Sequence, residues 1–318
     1  MNKERKQFMK TCKPVLRLLA VVLAFACIAI AADARKLHLN FRTVQIKNAQ
    51  STHVYGVNNA GVMVGRYVDS AGVSHGFIKV GEKVRTLDDP NWSGTYNECE
   101  AINSHNVIVG DYINSSNIST SYIYQKGKQG WYFRDIGPPN SQTAGINDSG
   151  VVTGAYVDPH GIQHGYVWHR NTNTWTRLDK PGASSTFAIG INNKGLMTVV
   201  WGDKAGNVES SLYNLNTKRY IATINVPGAV YTTAHGIDSA GDVVFNWSDS
   251  ATDRPPHGAL CTNCWSKTSR KYYKFDDPKG TAGTTANGIN DHGLIVGVYL
   301  TNGGAGFEGF KATYHFGP

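Results

Sequence analysis

Six copies of one twelve-residue pattern constrain what this chain can fold into. GVNNAGVMVGRY from Gly56 returns as AINSHNVIVGDY from Ala101, GINDSGVVTGAY from Gly145, GINNKGLMTVVW from Gly190, GIDSAGDVVFNW from Gly236 and GINDHGLIVGVY from Gly288. The starts lie 45, 44, 45, 46 and 52 residues apart, a period in the range of propeller blades rather than of helical or leucine-rich solenoids. No copy contains a useful apolar stripe at helical spacing.

Each copy reads as four short strands. The first ends at GIN or a variant of it, and an Asn followed three residues later by Gly marks a hairpin, because the Asn side chain closes an Asx-turn and Gly accepts positive φ. The second strand ends on Tyr67, Tyr112, Tyr156, Trp201, Trp247 or Tyr299. The third is HGFIKV in the first copy and HGYVWH in the third, reached through turns such as Asp69 to Gly72 and Asp158 to Gly161. The fourth, such as VRTLDDP or WTRLDKPG, stops at a proline that cannot donate to a ladder.

The stretch before the first copy fixes how the repeats close. FRTVQIKNAQSTHVYGVNN, from Phe41, lies without a gap on WTRLDKPGASSTFAIGINN, from Trp175, so that Val44 falls on Leu178. The segment 39–47 is therefore a fourth strand placed first, and the sixth copy has only three strands of its own. The expected fold is all-β: a six-bladed β-propeller of four-stranded antiparallel blades, closed by the N-terminal strand completing the C-terminal blade. An open solenoid would need terminal caps and would give that strand nothing to complete. The expected blade units start near 53, 98, 142, 187, 233 and 285. Small residues at Gly56, Gly145, Gly190, Gly236 and Gly288, with Ala101 the exception, and at Val54, Cys99, Thr143, Ala188, Ala234 and Ala286 two residues earlier, suit strands converging on an axis.

Residues 1–34 read as a signal peptide. Lys3, Arg5, Lys6, Lys10, Lys13 and Arg17 precede an apolar run from Leu18 to Ala32, with an AxA-like Ala32, Asp33, Ala34. The run is shorter than the roughly 20 residues of a spanning helix, so an uncleaved anchor is the weaker reading, and lipid attachment at Cys27 weaker still. The remainder, 35–318, carries 25 basic and 21 acidic residues, a net +4. A charge this small with no Lys/Arg run argues against nucleic acid as a partner. The 35 Gly, 16 Tyr and only 17% charged residues favour a turn-rich β protein. The expected product is an exported, periplasmic or extracellular monomer without stable membrane insertion.

The repeated GINxxGxVVGxY units, followed by a His, small, aromatic triplet, resemble the bacterial extracellular HAF-repeat proteins over nearly the whole of 35–318. His75, Gly76, Phe77 and His164, Gly165, Tyr166 match the triplet in kind, with Gly where the family name has Ala. Ser121 with Tyr122, Ser210 with Ser211, His257 with Gly258 and Glu308 with Gly309 depart from it. The resemblance implies a secreted propeller-like domain and brings no mechanism.

Candidate sites were weighed against structural roles. His75, His164 and His257 lie on third strands of alternate copies, too far apart for one ion, and are expected to bond locally. The repeated Asn58, Asn103, Asn147, Asn192, Asp238 and Asn290 are expected to be turn formers, and the single carboxylates at Asp69, Asp158 and Asp203 fall short of a calcium site. No metal or cofactor is expected. Cys261 and Cys264, in CTNCW, have no second pair to complete a zinc site, so a disulfide is favoured over free thiols, while Cys99 reads as a buried thiol. The asymmetric residues gather in the connections from fourth to first strands: Trp92, Tyr96, Glu98 and Glu100, Tyr231 and His235, with Asn287 in the equivalent slot of the sixth copy. Aromatic plates with a few acceptors suit a glycan, peptide or protein ligand. Catalysis has little support: Glu98 and Glu100 are the only close acidic pair near the expected central face, and no hydrolase box is present. A binding module is therefore the expected function, with a glycan-active hydrolase or lyase as the alternative.

Overall fold

The computed structural model describes residues 36–250, 256–301 and 306–317; the expected leader lies outside them. Every described element is a strand, and no helix among the described residues is long and apolar enough to cross a membrane.

Asn58 shows how each repeat makes its first turn. Its Oδ1 accepts the backbone N–H groups of Ala60 and Val62, both at 3.1 Å, while Gly61 takes φ 74°, a conformation a Cβ would penalise. Asn103, Asn192, Asp238 and Asn290 accept the same pair of amides. The second copy lacks the glycine, and Asn106 fills the left-handed place at φ 58°.

Strands joined by such turns form antiparallel meanders of four. After β1 (Lys36–Val44) come β2 (Ser51–Val57), β3 (Met63–Val68), β4 (Ser74–Val80) and β5 (Lys83–Thr86), then β6 (Trp92–Ile102), β7 (Ile108–Asn114), β8 (Ser119–Gly127) and β9 (Gly130–Asp135). Next are β10 (Ser141–Ile146), β11 (Val151–Val157), β12 (Gln163–His169) and β13 (Thr174–Leu178), followed by β14 (Ser185–Ile191), β15 (Leu196–Gly202), β16 (Val208–Asn214) and β17 (Arg219–Thr223). The series ends with β18 (Tyr231–Ile237), β19 (Val243–Ser248), β20 (His257–Thr262) and β21 (Lys271–Phe275), then β22 (Gly283–Ile289), β23 (Leu294–Leu300) and β24 (Phe307–Gly317). The last three take β1 as their fourth strand, in the order β1-β24-β23-β22. A single parallel pairing, Ser74 with Tyr96, joins the first two quartets into one eight-stranded sheet. Residues Leu39–Tyr314 form one compact body, and the rings of His38 and His315 stack 5.1 Å apart.

Volume balance across strand pairs explains the second glycine of the motif. Gly65 faces Phe77, Gly110 faces Tyr122, Gly154 faces Tyr166 and Gly297 faces Phe310. A Cβ on Gly297 would stand 1.9 Å from the Thr285 carbonyl and 2.7 Å from the Phe310 ring. Where the motif breaks, the balance is kept by other means: Val199 faces Ser211 and Phe245 faces Ala259. Phe77, Tyr122, Tyr166, Phe245 and Phe310 are all fully buried and dominate the core.

The turn asparagines also tie quartets together. The Nδ2 of Asn58 donates to the Asn103 carbonyl at 3.1 Å, Asn103 to Asn147 at 3.1 Å, Asn147 to Asn192 at 3.3 Å and Asn192 to Asp238 at 2.8 Å, and Asn290 donates back to Asn58 at 2.9 Å. Asp238 has no such donor, and there Ser239 bonds to Asp291 at 2.7 and 3.0 Å, as Ser104 does to Asp148 at 2.8 Å. The innermost strands touch in copy order, β2 on β6, β6 on β10, β10 on β14, β14 on β18 and β18 on β22, and β22 rests on β2.

The third-strand histidines bond locally. His75 lies between Asp88 and Asp69 at 2.7 and 3.3 Å, His164 between Asp179 and Asp158 at 3.1 and 3.2 Å, and His257 reaches Asp276 at 2.9 Å. Each ties the fourth strand to the third, and two also fix the preceding turn. A disulfide joins Cys261 and Cys264, while Cys99 is a buried free thiol.

Candidate functional site

Every innermost strand carries a register break at the same place: Val54/Gly56, Cys99/Ala101, Thr143/Gly145, Ala188/Ile191, Ala234/Ile237 and Ala286/Gly288. A bulge frees one residue from the ladder and re-aims its side chain. The freed residues are Tyr55, Glu100, Ala144, Ile189, His235 and Asn287, and all six line one cavity of about 360 Å³ at the centre of the inner strands. One backbone device, repeated six times, thus presents six different side chains to a common space.

Two further tiers stand beside the bulges, and of them Glu98, Asp111, Gln142 and Phe187 also line the cavity. Two residues before each bulge stand His53, Glu98, Gln142, Phe187, Thr233 and Thr285, paired across to Arg66, Asp111, Ala155, Val200, Asn246 and Val298. Acidic groups thereby gather on the second quartet as Glu98, Glu100 and Asp111, beside the Arg66 of the first. The fourth quartet offers Phe187, Ile189 and Val200. A second cavity of about 490 Å³ shares Phe187, Ile189 and His235 with the first and adds Trp201, Tyr231 and Thr233.

The acidic wall is held in a side-chain network. Arg66 Nε donates to the Tyr55 hydroxyl at 2.8 Å, lies 3.6 Å from Glu98 Oε2 and stacks its guanidinium 5.6 Å from the Tyr96 ring centre. Burial raises the Glu98 carboxyl above its ordinary pKa, although hydrogen bonds from Tyr96 and Glu100 and the charge of Arg66 pull it back. Burial and then the negative charge of Glu98 and Asp111 push Glu100 much higher. Asp111 is also raised strongly, by burial first and by Glu98 second, with only the Thr143 backbone amide opposing. On the far side, burial lowers His235 to about 4, which leaves a neutral imidazole bonded to Asn246 at 3.0 Å and Thr233 at 3.2 Å.

Of the residues expected from sequence, Tyr96, Glu98, Glu100, His235 and Asn287 come together on the first cavity. Tyr231 lines the second. Trp92 lies outside both, tilted against His75 at 5.2 Å and packed on the core. The first cavity is also lined by the first-turn residues Asn59, Ser104, Asp148, Asn193, Ser239 and Asp291. The connections are drawn back over their own sheets: buried Thr52, Thr186, Thr232 and Thr284 accept the N–H of Ile46, Lys180, Val226 and Asp277 through Oγ1.

Arg66 and Asp111 are missing from the sequence-based set, yet a signal for them exists. Both occupy the variable position just before the aromatic that ends the second strand, where the six copies read Arg, Asp, Ala, Val, Asn and Val. A position that varies inside a repeated frame is free of the frame's packing duty.

No protein-family model matches the chain, and no curated protein matches it either. Its fold is similar to that of a putative TolB from Agrobacterium tumefaciens, with a TM-score of 0.56 at 13% identity over 90% of this chain and 100% of the other. It is also similar to a mutant Aleuria aurantia lectin in complex with Fucα1-6GlcNAc, with a TM-score of 0.51 at 13% identity over 87% and 97% of the two chains. These neighbours are β-propellers, and at this identity the likeness is one of fold.

Proposed function

We propose that the chain is a six-bladed propeller closed by its N-terminal strand, and that it serves as an exported binding module whose axial cavity takes a compact polyhydroxylated group such as one sugar unit. The carrying observation is the cavity itself: six equivalent bulges hold six unlike side chains, so the wall is symmetric in backbone and asymmetric in chemistry. The Asn290 bond to Asn58 and the packing of β22 on β2 support the closure. A polar wall of Tyr55, Tyr96, Glu98 and Asn287, with Phe187 and Ile189 elsewhere on the lining, suits hydroxyl groups on one side of a ring and an apolar face on the other. The lectin neighbour is described in complex with a fucosylated sugar, which makes glycans the first class to screen. Kinship with the HAF-repeat proteins remains part of this reading, on the repeated GINxxGxVVGxY units.

Buried carboxylates in the cavity favour a second reading, a glycan-active hydrolase or lyase. Their spacing ranks it lower. One oxygen from each of Glu98, Glu100 and Asp111 lies within 4.8 Å of the others, so the three crowd one wall instead of flanking a scissile bond from two sides.

A glycan array probed with the purified chain tests the proposal. Phe187→Ala and Asn287→Ala should each weaken any hit at least tenfold, while Trp92→Ala, outside both cavities, should leave it within about threefold once folding is confirmed. Equal affinity in all three variants would remove the axial cavity from consideration.

A further inference from the structure

We propose that Glu98, Glu100 and Asp111 form a site for one divalent cation of the calcium class on the wall of the axial cavity. Each carboxylate offers an oxygen within 4.8 Å of the other two. Calcium binds oxygens at about 2.3–2.6 Å, so two ligands on opposite sides of one ion stand about 5 Å apart. The donors are all carboxylate oxygen, with no thiolate or imidazole among them, which selects a hard cation over zinc or copper.

Acidic grouping alone would not carry this, and a second observation points the same way. Thr143, on the neighbouring strand β10 and on the same cavity wall, is 1% exposed, and its hydroxyl has no hydrogen-bond partner among the described residues. Its backbone amide lies against Asp111. Asp111 is itself 1% exposed, with neither carboxylate oxygen in a well-formed hydrogen bond. Buried polar atoms are nearly always partnered in native proteins, and orphans on one cavity wall mark a place for something that supplies the partner. Charge leads to the same conclusion. Glu98 and Asp111 face each other directly across the β6–β7 ladder, a like-charged pairing that destabilises a sheet, and Arg66 is the one cation placed against Glu98 among the described residues. Ionising three buried carboxyl groups beside one guanidinium requires a further positive charge, and a divalent ion supplies it. The site rests on the cavity wall and not on the sugar reading, because the ion is measured with no organic ligand present.

The test uses the full chain stripped with chelator. Calcium is followed by titration calorimetry, and terbium by luminescence excited through Tyr55 and Tyr96, which lie on the same wall. The expected result is one ion per chain, at least a tenfold loss of affinity in both Asp111→Asn and Glu100→Gln, and no change beyond twofold in Glu82→Gln, an exposed carboxylate elsewhere. Calcium should raise the melting temperature of the parent and not of the two site variants, and in chelator Asp111→Asn should melt no lower than the parent because a buried carboxylate has been removed. Absence of calcium heat and sensitised terbium emission at millimolar ion would overturn the proposal. So would one-to-one binding that both site variants retain, or tighter binding of magnesium than of calcium.

Discussion

Asp238 occupies the position that asparagine holds in the other five copies, and the substitution removes one donor from the bonds between quartets. Burial raises its carboxyl from an ordinary 3.8 to about 6, with Asp242 and Asp291 adding to the shift. Since the folded pKa exceeds the unfolded one, this group favours the fold below about pH 4 and loses that contribution as the pH rises through 6. Asp238→Asn should therefore stabilise the protein at pH 7.5 by about 1–2 kcal/mol, because it removes the charge and restores an amide aimed at the next quartet. Thermal melts from pH 4.5 to 7.5 check this: the gain should shrink at the acid end, and a gain independent of pH would contradict it. A companion pair separates the two duties of the turn residues. Asn192→Asp, which keeps the acceptor for Lys194 and Leu196 but loses the donor to Asp238, should cost about half as much as Asn192→Ala, itself about 2 kcal/mol. At this scale the acceptor role was legible in the sequence, since Asn and Gly three apart define a local turn. The donor role was not, because its partner carbonyl lies about one full repeat away and no local pattern encodes it.

Between elements, the ruling quantity is volume shared across a strand pair. Phe245→Gly should cost about 3–4 kcal/mol by opening a cavity, and adding Ala259→Phe should recover at least half, reproducing the glycine and aromatic pairing of the other quartets. Denaturant melts of the single and double variants measure the coupling. Gly297→Val, with the Thr285 carbonyl 1.9 Å from the added Cβ, should cost more than 3 kcal/mol or prevent folding. Strand order, turn positions and terminal aromatics were all readable, because hairpin chemistry and period-two patterns are short-range. The site was half readable. Glu98, Glu100, His235 and Asn287 stood out as asymmetric, but Arg66 and Asp111 are visible only once the pairing of first and second strands is known. Trp92 misled because an aromatic in a connection looks the same whether it faces a ligand or, as here, packs on His75.

For the whole molecule, the account turns on β1. Its sequence matches a fourth strand, it lies beside β24, and side-chain bonds cross from one end of the chain to the other: Thr43 to Tyr299 at 3.2 Å and Gln45 to Glu308 at 3.1 Å. The proposed closure would give all six inner strands a common centre, and without it the cavity, the bond from Asn290 to Asn58 and the proposed ion site would lose their frame. The pairing of β1 with β24 was legible, since a displaced strand at one terminus and a missing one at the other admit few solutions. The chemistry of the cavity was not, because bulges aim side chains by a backbone irregularity that carries no fixed residue. The most direct measurement is a zero-length carbodiimide cross-link in the Gln45→Lys variant, followed by peptide mass spectrometry of the monomer band. A closed ring predicts an isopeptide bond joining positions 45 and 308 within one chain at low protein concentration, and a bond found only in dimers, or not at all, would contradict it.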